Sequence, residues 1–115
     1  MVENSIITAI QKYIAALTHV GIHASRAVLY GSYATGRADV WSDIDVIVIA
    51  PEFDGLKNRG LVELLWQATM MADSRIEPIP CGEKEWENNQ TRPILEIARQ
   101  EGLEVTPFKN EPAKS

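Results

Sequence analysis

Two aspartates, Asp43 and Asp45, flank the start of the most apolar run of the chain, Ile44 to Ala50. On an extended strand alternate side chains share a face. Both carboxylates therefore point one way, while Ile44 and Val46 point the other way into a core. Two like charges on one face repel and lose solvation unless a cation sits between them. Magnesium is the usual answer, a hard cation that takes one or two carboxylates and fills its shell with substrate phosphates. Upstream, the apolar segment Ala27-Val28-Leu29-Tyr30 runs into the small-residue turn Gly31-Ser32-Tyr33-Ala34-Thr35-Gly36-Arg37. A strand that ends in such a turn and enters a helix presents unpaired N–H groups, and these bind phosphate. Ser32 adds a hydroxyl donor, and Arg37 adds charge nearby. Triphosphate chemistry needs both parts: amides for phosphate oxygens and clustered carboxylates for a divalent metal.

Each part alone is unspecific. An isolated Asp-x-Asp is more often a solvent-facing pair, and Gly-Ser is more often an ordinary turn. Together, with ten residues between Ser32 and Asp43, they carry more weight. The chain has no Gly-x-x-x-x-Gly-Lys-Ser/Thr and no Gly-x-Gly-x-x-Gly, so neither a P-loop nor a dinucleotide fold is indicated. Two-metal phosphoryl transfer calls for a third acid on a neighbouring strand. Glu77 is the one acid within Ser74-Arg75-Ile76-Glu77-Pro78-Ile79-Pro80, and Asp73 just before it is the fallback. The two prolines predict an edge strand or an early strand end.

Gly31-Ser32, a spacer, Asp43-x-Asp45 and a later strand acid at Glu77 resemble the signature of the minimal nucleotidyltransferases of the DNA polymerase beta superfamily. Glu83 to Glu87 and Arg92 to Gly102 also resemble the closing segment of those proteins, so the likeness covers nearly the whole chain. The resemblance implies an α/β (α+β) fold, a polymerase-beta-like core with a central mixed β-sheet flanked by helices. It implies transfer of a nucleoside monophosphate, AMP from ATP, with Mg2+ and loss of pyrophosphate. Asp43, Asp45 and Glu77 would be the catalytic and metal-holding residues, in a two-metal site. Gly31, Ser32, Arg37 and Ser42 would contact the nucleotide. Minimal members commonly pair, as antitoxins, with a helical HEPN-type toxin in a hetero-oligomer, and family members can AMP-modify a tyrosine of that toxin. Glu77 departs from the family's usual Asp, and Thr35 stands where some relatives carry a basic residue. Two alternatives follow: an antitoxin that neutralises its partner by binding alone, and a nucleotidyltransferase acting on a small molecule or an RNA end.

The 115 residues suffice for one domain with a modest core, and the 45% hydrophobic content is ordinary for a globular chain. We expect a single domain over residues 1–106 and a flexible polar tail over 107–115. The one cysteine, Cys81, cannot form an internal disulfide and has no metal-spaced Cys/His partners. It reads as a half-buried residue in a reducing cytoplasm. No signal peptide or membrane-length apolar run is evident. A net charge of −5 argues against a long nucleic-acid surface and fits a protein acceptor better.

The elements that must position these residues follow from periodicity. Asn4 or Ser5 should cap a first helix with Ile6, Ile7, Ile10, Ile14 and Leu17 on its inner face, ending at Gly21. His19 and His23 lie near that end, where a cation suits the helix dipole. Trp41, in the loop from Arg37 to Ser42, is expected to pack. Pro51 to Asn58 reads as a polar connector. Leu61, Leu64, Leu65, Ala68, Met71 and Ala72 mark a second helix, with the Met70–Met71 pair as core filler. Glu83 to Asn89 reads as a short helix. Thr91 and Pro93 should open a last helix with Ile94, Leu95 and Ala98 inward, ended by Gly102, and Leu103 to Val105 should add a short strand.

Overall fold

The computed structural model describes residues 2–55, 59–88 and 92–108. Among the described residues, six α-helices and four strands follow one another as α1 (Asn4–His19), β1 (Arg26–Tyr30), α2 (Ser32–Thr35), β2 (Ile44–Ile49), α3 (Arg59–Gln67), α4 (Thr69–Ala72), β3 (Ile76–Cys81), α5 (Glu83–Asn88), α6 (Pro93–Glu101) and β4 (Leu103–Val105). A 3-10 turn, Pro51–Phe53, lies in the connector after β2. The strands form one mixed sheet in the order β3-β2-β1-β4. β1 runs antiparallel to β2 and to β4, whereas β2 and β3 run parallel. This is the expected mixed α/β class, with β3 at an edge as its two prolines require.

The central strand explains the layering. From Val46 to Ala50 every residue of β2 and its exit is fully buried, as both faces of a covered sheet demand. Ile44, Val46 and Val48 join Ala27, Leu29, Ile76 and the buried side of α1 in the larger core, with Leu65 and Ala68. Ile47 and Ile49 join Val28, Tyr30, Cys81, Leu95 and Ala98 on the opposite face, under α5 and α6. Among the described residues no helix is long and apolar enough to cross a membrane.

Four local expectations are corrected. Helix α1 is preceded by Glu3 in extended conformation, with no side-chain cap. Asn4 and Ser5 already lie inside the helix, and the Ser5 hydroxyl bonds the Glu3 carboxylate at 3.3 Å. The second helix is two pieces. The Tyr13 hydroxyl donates to Leu65 O at 2.6 Å and the Thr69 hydroxyl to Trp66 O at 2.7 Å, so two carbonyls of the last turn are held by side chains. Thr69, satisfied in this way, takes the buried position that periodicity assigned to Met71. Met70 and Met71 turn outward, 78% and 61% exposed, and are not core filler. Cys81 is fully buried, not half-buried.

The remaining elements follow the sequence closely. Gly21 has a positive φ and donates to Thr18 O at 3.1 Å just after α1. Pro93 opens α6 with Arg92 before it; Thr91, named as its cap, lies outside the described residues. So do 56–58 of the connector and 109–115 of the expected tail. Pro107 and Phe108, assigned to that tail, line a hollow against α1 with Gln11, Ile14 and Thr18.

Candidate active site

Strand register brings the acids together. Asp45 in β2 faces Tyr30 across the antiparallel pair and Glu77 across the parallel pair. The three residues form a row over β1, β2 and β3, at the end of the sheet where β1 stops and β2 and β3 begin. Opposed positions on adjacent strands lie about 5 Å apart. Asp43, two residues upstream and on the same face, lies close enough to Glu77 for its charge to act on that carboxyl. The predicted partners of the acids behave as expected, since Ile44 and Val46 are fully buried on the other face.

The electrostatics of the row are those of crowded anions. The Asp45 carboxyl is held above its ordinary range, first by burial and then by the charge of Asp43. Glu77 is also raised, by desolvation, then by the nearby Asp43 carboxylate, then by Asp45. Tyr30 is buried, and its hydroxyl is pushed up to about 12 by burial, then by Asp45 and Glu77. Such a phenol stays neutral and keeps its proton for donation. Sequence reasoning missed Tyr30. Its one signal was the period-2 alternation with Val28, which joins it in the second core.

The turn after β1 meets this row directly. Gly31 has φ 78° and ψ −151°, a region open essentially to glycine alone. Its carbonyl accepts from Ala34 N at 3.0 Å, Thr35 N at 3.1 Å and the Thr35 hydroxyl at 3.1 Å. Gly36, left-handed at φ 81°, ends the single turn of α2. The first amides of that turn, those of Ser32 and Tyr33, have no acceptor within a helix, and Ser32 is half-exposed.

The other predicted contacts fall differently. Arg37 is exposed and its Nε donates to the Thr35 hydroxyl at 3.2 Å. Ser42 closes its own loop: its Oγ accepts from Asp39 N at 2.9 Å and donates to Asp39 Oδ1 at 3.3 Å. Asp39 Oδ1 also accepts from Trp41 N at 2.8 Å. This bonded loop holds Trp41 outward, 88% exposed, so the expectation that it packs is overturned. The fallback acid Asp73 is committed to Arg75, whose guanidinium holds it below the ordinary carboxylate range against the opposing effect of burial.

Three oxygen donors of one charge, beside unpaired amides, suit a hard divalent cation shared with phosphate oxygens. Among the described residues no three of His, Cys, Asp and Glu form a ready-made cage for an ion.

A family model described as nucleotidyltransferase domain matches residues 17–100. That span includes the turn and all three acids. No curated protein sequence matches this chain. Among solved structures it is similar to a Sulfolobus solfataricus protein described as a candidate nucleotidyltransferase. The TM-score is 0.61 at 11% identity, over 87% of this chain and 78% of that one. It is also similar to a toxin-antitoxin structure with AMP-PNP, with a TM-score of 0.57 at 23% identity over 86% of this chain and 74% of the other. A mutant of the toxin-antitoxin MntA-HpeT has a TM-score of 0.55 at 23% identity, over 85% and 72%. These likenesses show the shared fold.

Proposed function

We propose, for a chain that belongs to the nucleotidyltransferase domain family, that it moves AMP from ATP onto a hydroxyl of a partner protein in a magnesium-dependent reaction. The observation that carries this reading is the pairing of Asp45 with Glu77 across parallel strands, with Asp43 two residues before Asp45 on the same face. Asp43, Asp45 and Glu77 would hold the metal. When bound, magnesium supplies charge neutralisation for the triphosphate and lowers the pKa of the attacking hydroxyl. The Ser32 and Tyr33 amides and the Ser32 hydroxyl hold phosphate oxygens. The acceptor oxygen forms a bond to the α-phosphorus, the bond to the bridging oxygen breaks, and pyrophosphate leaves. The released proton passes to Glu77 or a neighbouring carboxylate. Positioning and charge neutralisation supply most of the rate.

The acceptor is read as a helical HEPN-type toxin, with this chain as the antitoxin. The toxin-antitoxin structures of similar fold, one of them holding AMP-PNP, support that reading by analogy.

The test is label transfer. The purified protein is incubated with α-labelled ATP, magnesium and the product of a neighbouring gene, beside an Asp43→Ala/Asp45→Ala control. Label on the partner that needs both aspartates is the expected result. A tight complex that never takes label would convert the reading to an antitoxin acting by binding alone. Label on RNA or a small molecule would redirect the acceptor.

A further inference from the structure

The two halves of the candidate site stand on different elements. The Gly31–Ser32 turn leads into α2, whereas the acids lie at the starts of β2 and β3. Arg75, in the lead into β3, touches every one of these elements. Its carbonyl accepts from Ile44 N at 2.9 Å, between the two aspartates. Its guanidinium lies edge-on to Asp73, with Nε to Oδ1 at 3.0 Å and Nη2 to Oδ2 at 2.8 Å. The remaining nitrogen, Nη1, donates to the Tyr33 hydroxyl at 3.3 Å. Tyr33 follows Ser32 directly, and its ring packs against the larger core.

A guanidinium is planar, and one gripped by a carboxylate along one edge has little freedom left. The direction of its free corner is therefore set by Asp73. That corner meets the only polar atom of the Tyr33 side chain. Strand β2, the lead into β3 and the phosphate-side turn are thus tied through one side chain and its own carbonyl.

We propose that Arg75 and Tyr33 form a clip that sets the phosphate-side turn against the three acids, so that metal and triphosphate bind as a unit. The inference rests on the nucleotidyltransferase reading above. In this role Arg75 is a positioning residue. Removing the clip leaves the acids free to bind a metal ion alone. It weakens the joint binding of metal and triphosphate, because that ligand must reach both halves at one separation.

The full chain is compared with Tyr33→Phe, Arg75→Gln and Arg75→Lys. Mn2+ is titrated alone, followed by the spectrum of the free ion. It is then titrated with an ATP analogue carrying a methylene bridge between the α- and β-phosphates. The expected result is Mn2+ affinity within about twofold of the original in all variants, with affinity for the Mn2+–analogue pair about tenfold weaker. Tyr33→Phe removes one oxygen and keeps the ring in the core, so folding is preserved, and a thermal melt checks it. Arg75→Lys keeps the charge but not the fork, and should fail to restore binding. Unchanged pair affinity in Tyr33→Phe would overturn the clip, as would full rescue by Arg75→Lys. An unaltered protein that binds no Mn2+–analogue pair would remove the nucleotidyltransferase reading as well.

Discussion

A β-carbon at position 31 would stand 2.5 Å from Oδ2 of Asp45. Glycine is required there twice, by its φ of 78° and by the carboxylate that occupies the space of a side chain. The phosphate-side turn and the central acid are therefore in contact, and neither can be altered without the other. Gly31→Ala should destabilise the fold by about 1–3 kcal/mol and displace Asp45. Gly36, with φ 81°, has nothing within 4 Å of its missing β-carbon. Gly36→Ala should cost about 1 kcal/mol from the backbone alone. Urea melts of the two variants measure the difference, which reports the Asp45 contact together with the more restricted backbone at position 31; equal losses would mean that both are soft.

The crowded acids predict a pH dependence. Asp45 and Glu77 both have folded-state pKa values above the ordinary carboxylate range, burial being the first cause in each. The folded chain then binds more protons than the unfolded chain between the two values. Stability from these groups is fully present below the ordinary range and is lost as pH rises through the raised values. Asp43→Asn removes a negative charge acting on both. In the presence of a chelator that variant should be the more stable protein at neutral pH, with the gap closing toward about pH 3. Denaturant melts across pH test this, and a variant less stable at neutral pH would contradict the repulsion. The same substitution should abolish label transfer.

Tyr13 is fully buried on α1, and its hydroxyl bonds the Leu65 carbonyl at 2.6 Å. Tyr13→Phe keeps the ring and leaves that carbonyl without this donor, at a cost of about 1–2 kcal/mol. The Tyr13 hydroxyl titrates well above its ordinary value because of burial, so the loss should be constant from pH 5 to pH 9 on the ordinary tyrosine scale. Chemical denaturation at several pH values gives the number.

Cys81 is fully sealed at the end of β3, and its thiol is pushed up to about 12, chiefly by burial. The thiolate that reacts with disulfide reagents is then scarce, and access is closed. Native protein should leave an aromatic disulfide reagent uncoloured over hours, and denatured protein should release one equivalent at once. Rapid native reaction would show that β3 and α6 open easily.

Local pattern accounts for much of this molecule and fails at identifiable places. Period-2 alternation at Asp43–Val46 was sufficient to orient the acids, because a buried central strand permits only one face for charge. Glu77 was reached as the third acid from the order of acids along the chain, whereas its opposition to Asp45 exists only through the parallel register. Tyr30 escaped because it reads as the last core residue of β1, and its partnership with Asp45 exists only through antiparallel register. Trp41 escaped because the Asp39–Ser42 bonds that hold it outward are local, whereas the lack of a wall beside it is tertiary. The methionines escaped because a hydroxyl from α1 reaches Leu65 across the core.

The outer rim of β3 has a consequence for assembly. The carbonyls of Arg75 and Cys81 point inward, to Ile44 N and Ala50 N, so the even-numbered residues between them face away from the sheet. Of these, Pro78 and Pro80 have no N–H, Ile76 N is taken by Asp73 O, and Pro80 O is taken by Arg92. A foreign strand laid along this rim would find scarcely a donor to zip onto. The acidic row thus opens beside a sheet margin that resists fibril-like stacking, and another chain must reach it through side chains and loops.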